Sequence, residues 1–102
     1  PVKLNAVSYY ETRRGLLFAD AQKQSAAFDR LWQAQGIVMI DQAALDRAAK
    51  IYADLRKAGQ LIEDADILIA AIALINDMTL VTNNTSHFSR IAGLQLEDWL
   101  VP

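Results

Sequence analysis

Asp66 is the residue whose surroundings most strongly indicate chemistry. It lies in the segment Asp64–Ile75, which is apolar on all sides after its first turn, so a helix formed by this segment would be buried. Helical spacing places Asp66 on one face with Ile69, Ala70 and Ala73. An inward carboxylate needs compensation, because an unpaired buried charge is costly. Two interpretations stay open: an acidic site, or an anion stabilised by the helix N-terminus, where Asp64 is the more natural cap.

Glu11 is the second candidate acid. It follows the first predicted strand, and ligands of parallel sheets bind outside the carboxyl ends of the strands. The competing interpretation is a surface ion pair with Arg14, one turn further on, worth only about 0.3–0.5 kcal/mol.

A polar turn follows another predicted strand. Thr82 and Asn84 offer a hydroxyl and an amide there, although asparagine in turns commonly bonds its own backbone. His87 is the only histidine, which disfavours a zinc site built on nitrogen ligands. Carboxylate and amide oxygens instead suit Mg²⁺ or Mn²⁺.

The elements that must position these side chains alternate between strand and helix. Short β-favouring runs predict strands at Lys3–Val7, Ile37–Ile40, Thr79–Thr82 and Leu94–Leu96. Helical patterns predict a first helix that is capped by Ser8 and broken near Gly15, and a second over Asp20–Gln35. A third should run from Asp41 or Gln42 to about Ala58, and a fourth from Asp64 to about Asn76. A helical turn is predicted over His87–Ile91. This order predicts an α/β fold: a parallel sheet in three layers, with helices on both faces.

The pattern also predicts which faces are buried. The run Ile37–Ile40 is continuous, as in a strand buried on both faces, and Gly36 and Gly59 are placed to end helices. The second helix should bury Ala27, Phe28, Leu31 and Trp32, and the third Leu45, Ala48, Ala49, Tyr52 and Leu55.

Bulk properties limit the classes of protein. A chain of 102 residues has room for one domain, which we expect to span residues 1–102. The absence of cysteine excludes disulfides and cysteine nucleophiles. The net charge of −2 argues against a module that binds nucleic acid only by neutralising phosphates, but not against an enzyme that first takes up a metal. No apolar run is long enough to span a bilayer, so we expect a soluble, cytoplasmic protein.

Three blocks in order resemble a PIN domain of the VapC toxin type. They are A-V-S-Y-Y-E-T-R-R-G at Ala6–Gly15, I-E-D-A-D-I-L-I-A-A-I-A-L at Ile62–Leu74 and L-V-T-N-N-T-S-H-F-S-R-I at Leu80–Ile91. The final G-L-Q-L-E-D-W also resembles the ending of such toxins, so the resemblance covers nearly the whole chain.

The resemblance implies roles for particular residues. Glu11 and Asp66 would be acidic ligands of Mg²⁺ or Mn²⁺, Asn84 a supporting asparagine of the catalytic site, and Thr82 the hydroxyl beside it. His87 stands where many members have a further aspartate, which leaves its role open. Arg13, Arg14 and Lys57 are candidates for steering phosphate, or else solvated charges.

One family block has no counterpart in this chain. PIN domains open with a central strand that ends in an aspartate, within a D-T-N or D-T-S motif, and nothing before Ala6 can align to it. The resemblance therefore implies that the first central strand and one metal ligand are missing here. We expect this chain to be weakly active or inactive, with unpaired strand edges.

The implied function is that of a Mg²⁺-dependent endoribonuclease, the toxin of a VapBC-type toxin–antitoxin pair. Its partners would be an RNA substrate, a cognate antitoxin and a second copy in a homodimer. The alternative is a catalytically impaired PIN-like module that binds an antitoxin, which both the missing strand and His87 favour. A receiver-like regulatory domain is disfavoured, because Asp41 lacks phosphoacceptor surroundings and the helix carrying Asp66 has no place in that fold.

Overall fold

The computed structural model describes residues 4–81 and 85–97. Within them the order of elements is β1 (Leu4–Asn5), α1 (Ala6–Phe18), α2 (Gln22–Gln35), β2 (Ile37–Val38), α3 (Gln42–Lys57), α4 (Asp64–Ile75), β3 (Leu80–Val81), α5 (Thr85–Phe88) and β4 (Leu96–Glu97). The chain divides into two compact units, Pro1–Met39 and Ile40–Pro102, and each is described by itself. A single domain over residues 1–102 stays a prediction.

The first helix begins earlier and runs longer than the sequence indicates. Asn5 caps α1, since its side chain accepts a hydrogen bond of 3.0 Å from the Val7 amide, so the prediction of Ser8 as the cap is wrong. Both side chains can cap, and the earlier one does, which shortens the strand to Leu4–Asn5. The predicted break near Gly15 is also wrong, because a glycine inside a helix costs only about 0.5–1 kcal/mol.

The second helix and the strand after it are both shorter than predicted. α2 begins at Gln22 instead of Asp20, whose φ of 51° lies in the left-handed region. Gly36, at a φ of 83°, ends the helix as predicted. The expectation of a strand over Ile37–Ile40 buried on both faces is wrong: β2 spans Ile37–Val38 and is half-buried, and Met39 is 68% exposed. Within the described residues its one strand neighbour is β1, in parallel.

Aromatic side chains join the two helices of the first unit. The Tyr9 ring lies 5.4 Å from that of Phe28 and 5.9 Å, edge-on, from that of Trp32. Of the other residues expected on this face, Ala27 and Leu31 are exposed. Among the described residues of this unit no apolar side chain is buried.

The second unit is built on the packing of α3 against α4. Asp41 caps α3 by accepting a hydrogen bond of 2.9 Å from the Ala44 amide, and Gly59 follows the helix at a φ of 69°, so both predicted ends are confirmed. The buried face of α3 consists of Ala44, Ala48, Ile51 and Leu55.

The face predicted for α3 is therefore only partly right. Leu45 is 48% exposed, Ala49 is exposed and Tyr52 is half-buried. Two apolar stripes overlap along this helix and share Ala48 and Leu55, and the buried one is the stripe that also contains Ala44 and Ile51. The prediction that α4 is buried is confirmed: its buried residues are Ile67, Ile69, Ala70, Ala71, Ile72 and Ala73.

The strands of the second unit form a parallel pair. Leu80 of β3 is in register with Leu96 of β4. β4 spans Leu96–Glu97, so it shares only Leu96 with the strand predicted over Leu94–Leu96. The described strands thus form two parallel pairs, β1–β2 and β3–β4, and the alternation of strand and helix confirms the α/β prediction. No helix in the described part of the chain is both long and apolar enough to cross a membrane.

Candidate functional site

Asp66 lies in the first turn of α4, on the inward face predicted for it. Its side chain is 18% exposed, and Ile69, Ala70 and Ala73 on the same face are buried. The prediction that Asp64 is the cap is wrong: Glu63 occupies the N-cap position, without a side-chain cap bond, and Asp64 is the first helical residue. Two acidic residues in the first turn are favoured by the partial positive charge of the helix N-terminus.

His87 is brought to Asp66 from a distant part of the chain. It lies in α5, and its Nδ1 atom is 3.5 Å from Oδ2 of Asp66, at the outer limit of a hydrogen bond. The buried ring of Phe88, 4% exposed, anchors the same short helix. The His87 side chain is 39% exposed, so the pair is open to solvent on the imidazole side. It carries opposite charges only when the imidazole is protonated.

The polar segment predicted as a turn lies partly outside the described residues. Thr82 and Asn84, predicted to support the site, fall in the interval 82–84, and their roles stay predictions. The described residues on either side are Val81 at the end of β3 and Thr85 at the start of α5.

Glu11 lies in the second turn of α1, because that helix begins at Ala6 and not after Val7. Its Oε2 atom is 3.7 Å from the Arg14 guanidinium, and the two side chains are 35% and 59% exposed. In its own unit Glu11 therefore forms the surface ion pair that was the competing interpretation. That pair is weak enough to leave the carboxylate available to a metal.

Arg13 forms a polar and aromatic cluster that sequence reasoning missed. Its guanidinium pairs with Asp29 and lies 5.4 Å and 5.2 Å from the centres of the Tyr9 and Phe28 rings. Asp29 also accepts a hydrogen bond of 3.0 Å from Trp32. The hydrogen bond from Arg13 holds the pKa of Asp29 below its ordinary value, and the same bond raises the pKa of Arg13. Arg13 is thus already engaged within the first unit, which disfavours a role in steering phosphate.

The donor chemistry of Asp66 suits a hard divalent cation. Within the described residues no group of three or more acidic or histidine side chains converges on one point. Mg²⁺ commonly binds through one or two carboxylates and keeps several waters, so a site anchored on Asp66 fits that ion. The imidazole of His87 adds a nitrogen donor, which Mg²⁺ favours less.

Comparison with families of known proteins gives a match over nearly the whole chain. The model that matches is described as PIN domain, and it covers residues 1–94.

Two named relatives are similar to this chain over different lengths. Ribonuclease VapC1 of Methanocaldococcus jannaschii is 34% identical over 97 residues, which are 93% of this chain and 69% of the relative. The tRNA(fMet)-specific endonuclease VapC of Shigella flexneri is 39% identical over 59 residues, which are 58% of this chain and 45% of that protein. The second match thus spans less than half of its relative.

Solved structures share the fold. The VapBC-1 structure from nontypeable Haemophilus influenzae matches at a TM-score of 0.87 and 25% identity, over 97% of this chain and 75% of that one. The VapBC2 structure from Rickettsia felis, bound to a DNA fragment from its promoter, matches at 0.85 and 26% identity, over 95% and 74%.

Proposed function

Since the chain belongs to the PIN domain family, of the type found in VapC toxins, we propose that it is the ribonuclease of a toxin–antitoxin pair. The relatives named ribonuclease and tRNA-specific endonuclease support RNA as the substrate. The observation that carries the proposal is Asp66, a partly buried carboxylate at the start of an apolar helix. Such a group is costly unless a cation or a proton compensates it.

The proposed mechanism assigns a task to each residue. Asp66 would hold the divalent ion, and the role of Glu11 as a further acidic ligand rests on family resemblance alone. Mg²⁺ or Mn²⁺ bound there would activate a water and offset charge on the phosphate during hydrolysis. By family resemblance, Asn84 and Thr82 would orient ligands or substrate. His87, whose Nδ1 atom lies 3.5 Å from Oδ2 of Asp66, would help to orient that carboxylate, and its side chain is accessible to an RNA substrate.

The first prediction is that Asp66→Asn abolishes RNA cleavage by the native-length protein in Mg²⁺ or Mn²⁺. Asparagine keeps the shape but removes the charge that holds the cation, so the loss should exceed the roughly 10–100-fold typical of a substitution around a metal ligand. The measurement is single-turnover cleavage of a labelled RNA. Asp64→Asn, in the same helical turn, is the matched control and should retain activity. Full activity of Asp66→Asn, or cleavage in excess chelator, contradicts the assignment.

The second candidate function is binding of an antitoxin without catalysis. The imidazole of His87 beside Asp66 favours it, since a protonated histidine would compensate the carboxylate in place of a metal. Calorimetric titration with Mn²⁺ separates the two candidates. A saturable site that Asp66→Asn removes supports the ribonuclease. No specific uptake of Mn²⁺, together with retained antitoxin binding, supports the binding module.

The proposed partners follow from the solved neighbours. The structures from Haemophilus influenzae and Rickettsia felis are of VapBC assemblies, which supports a cognate antitoxin for this chain. We also propose a homodimer, as family resemblance implies, and sedimentation equilibrium of the native-length protein measures it directly.

A further inference from the structure

A cleft in the second unit lies apart from the candidate site. It lies between α3, the C-terminal end of α4 and the turn after α5, and it encloses about 390 Å³. Its lining includes three nearly buried aliphatic side chains, Ile51, Leu55 and Ile91, which are 7%, 5% and 6% exposed, together with Leu74. We call it the α3 cleft. Its volume falls within the roughly 300–1,000 Å³ of small-molecule sites.

The polar residues around the α3 cleft are mainly cationic. They are Arg47, Lys50, Asp54 and Arg90. Lys50 is neutralised by Asp54, whose Oδ2 atom lies 3.2 Å from its ammonium group. Arg90 donates one hydrogen bond of 3.2 Å to the Gln60 carbonyl, which leaves its other guanidinium nitrogens available. Within the described ranges 4–81 and 85–97 no carboxylate lies within ion-pair distance of Arg47 or Arg90.

We propose that the α3 cleft binds a small amphipathic organic anion. Its aliphatic body would lie against Leu74 and the small exposed parts of Ile51, Leu55 and Ile91. Its carboxylate or phosphate would be held by Arg47 and Arg90. A guanidinium group recognises both anions through paired N–H donors, and aliphatic burial adds affinity in proportion to the area removed from water. The net charge of −2 for the whole chain makes this local surplus of positive charge distinctive.

A nucleic-acid tract explains the α3 cleft less well. Single-stranded nucleic acid is held on aromatic platforms along a basic groove, and none of the described residues that line this cleft is aromatic. Phosphates alone would also make no use of the aliphatic part of the lining. The competing interpretation is that the aliphatic parts of Arg47 and Arg90 lie along the apolar surface while their guanidinium groups stay in water. It predicts no saturable binding of an anion.

The α3 cleft is independent of the proposed ribonuclease. Neither Asp66 nor His87 lines it, and no metal is needed for its ligand. Binding can therefore fail while RNA cleavage succeeds, and the reverse.

Octanoate is the probe, and the isoleucine δ1-methyl resonances of the native-length protein are the readout. We expect titration to shift the methyl resonances of Ile51 and Ile91 saturably. Arg47→Gln and Arg90→Gln, each made alone, should weaken octanoate binding about tenfold, as expected for the loss of one charge-assisted hydrogen bond. Arg56→Gln, on α3 but outside the cleft, is the matched control and should leave the affinity unchanged.

Further probes decide between the possible outcomes. Octyl phosphate binding more tightly than octanoate supports the proposal with a phosphate head, and the opposite order supports it with a carboxylate. Octylammonium or octanol shifting the two methyls as strongly as octanoate overturns it, because the arginines would then contribute nothing. Methyl shifts with a short RNA but not with octanoate overturn it in favour of a nucleic-acid tract, and no saturable shift with any probe overturns it in favour of solvated charges.

Discussion

At the residue scale, the two partly buried carboxylates Asp29 and Asp66 have different partners. Asp29 is neutralised by Arg13, a permanent cation, and its side chain is 44% exposed. Asp66 is 18% exposed and faces the imidazole of His87, which is a cation only when protonated. The inward position of Asp66 could be predicted, since helical spacing fixes which face a residue shares. The pairing of Arg13 with Asp29 could not, because it depends on how α1 and α2 pack.

The pairing with Arg13 predicts how stability depends on pH. The pKa of Asp29 is lowered from its ordinary value of 3.8 by the hydrogen bond from Arg13, so the ionised carboxylate favours the folded state. In the unfolded chain Asp29 has its ordinary pKa of 3.8, and the stabilisation is fully present above this pH. It is lost as the pH falls through the lower pKa that Asp29 has in the folded protein.

Asp29→Asn should therefore lower the free energy of unfolding at pH 7 and make its decline below pH 3.8 shallower. Urea denaturation at a series of pH values measures both effects. Asp46→Asn is the control, since Asp46 accepts a hydrogen bond from the neutral side chain of Gln42. A parallel decline in Asp29→Asn and the wild type would show that the pairing does not persist in solution.

At the element scale, the helix ends with clear start and stop residues were predictable. Asp41 and Gly59 bound α3 where the sequence placed them, because a side-chain acceptor and a left-handed glycine act locally. The start of α1 was missed because Asn5 and Ser8 can both cap. The buried face of α3 was predicted only in part. Packing against α4 determines which of its two overlapping apolar stripes is buried, and the local sequence of α3 does not.

The cap of α3 gives a prediction at this scale. Asp41→Ala removes the acceptor of the Ala44 amide and should lower the free energy of unfolding by about 1 kcal/mol. Asp41→Asn keeps an acceptor and should change it by only a few tenths. Urea denaturation of both variants checks this, and equal losses would mean that charge, not capping, is what Asp41 contributes.

At the scale of the whole molecule, apolar burial is uneven. All of the described core residues, from Ala44 to Ile91, belong to the second unit, while the described part of the first unit buries only Asn5. The alternation of elements, and hence the α/β class, could be read from local periodicity. The length of β2 could not, because this strand ends at Val38, where its pairing with β1 stops.

The uneven core predicts uneven protection from hydrogen exchange. Amides of Ala70–Ala73 in α4 should exchange at least about tenfold more slowly than those in α1 and α2, after correction for intrinsic rates, because local opening there exposes buried apolar surface. Exchange followed by NMR measures this residue by residue. Equal protection in both units would mean that α1 and α2 are held by more than the aromatic contacts of Tyr9.

The two ends of α4 lie at two different candidate binding sites. The first turn of α4 carries Asp66, and Leu74 near its last turn lines the α3 cleft. The two positions are eight residues apart, or about 12 Å along the helix axis. If α4 can adopt two positions, a ligand that favours one of them by binding at one end of the helix changes the affinity for the ligand at the other end. By thermodynamic linkage, each ligand changes the affinity for the other by the same factor. If a cation at Asp66 tightens or loosens anion binding in the α3 cleft, the anion alters cation affinity to the same degree.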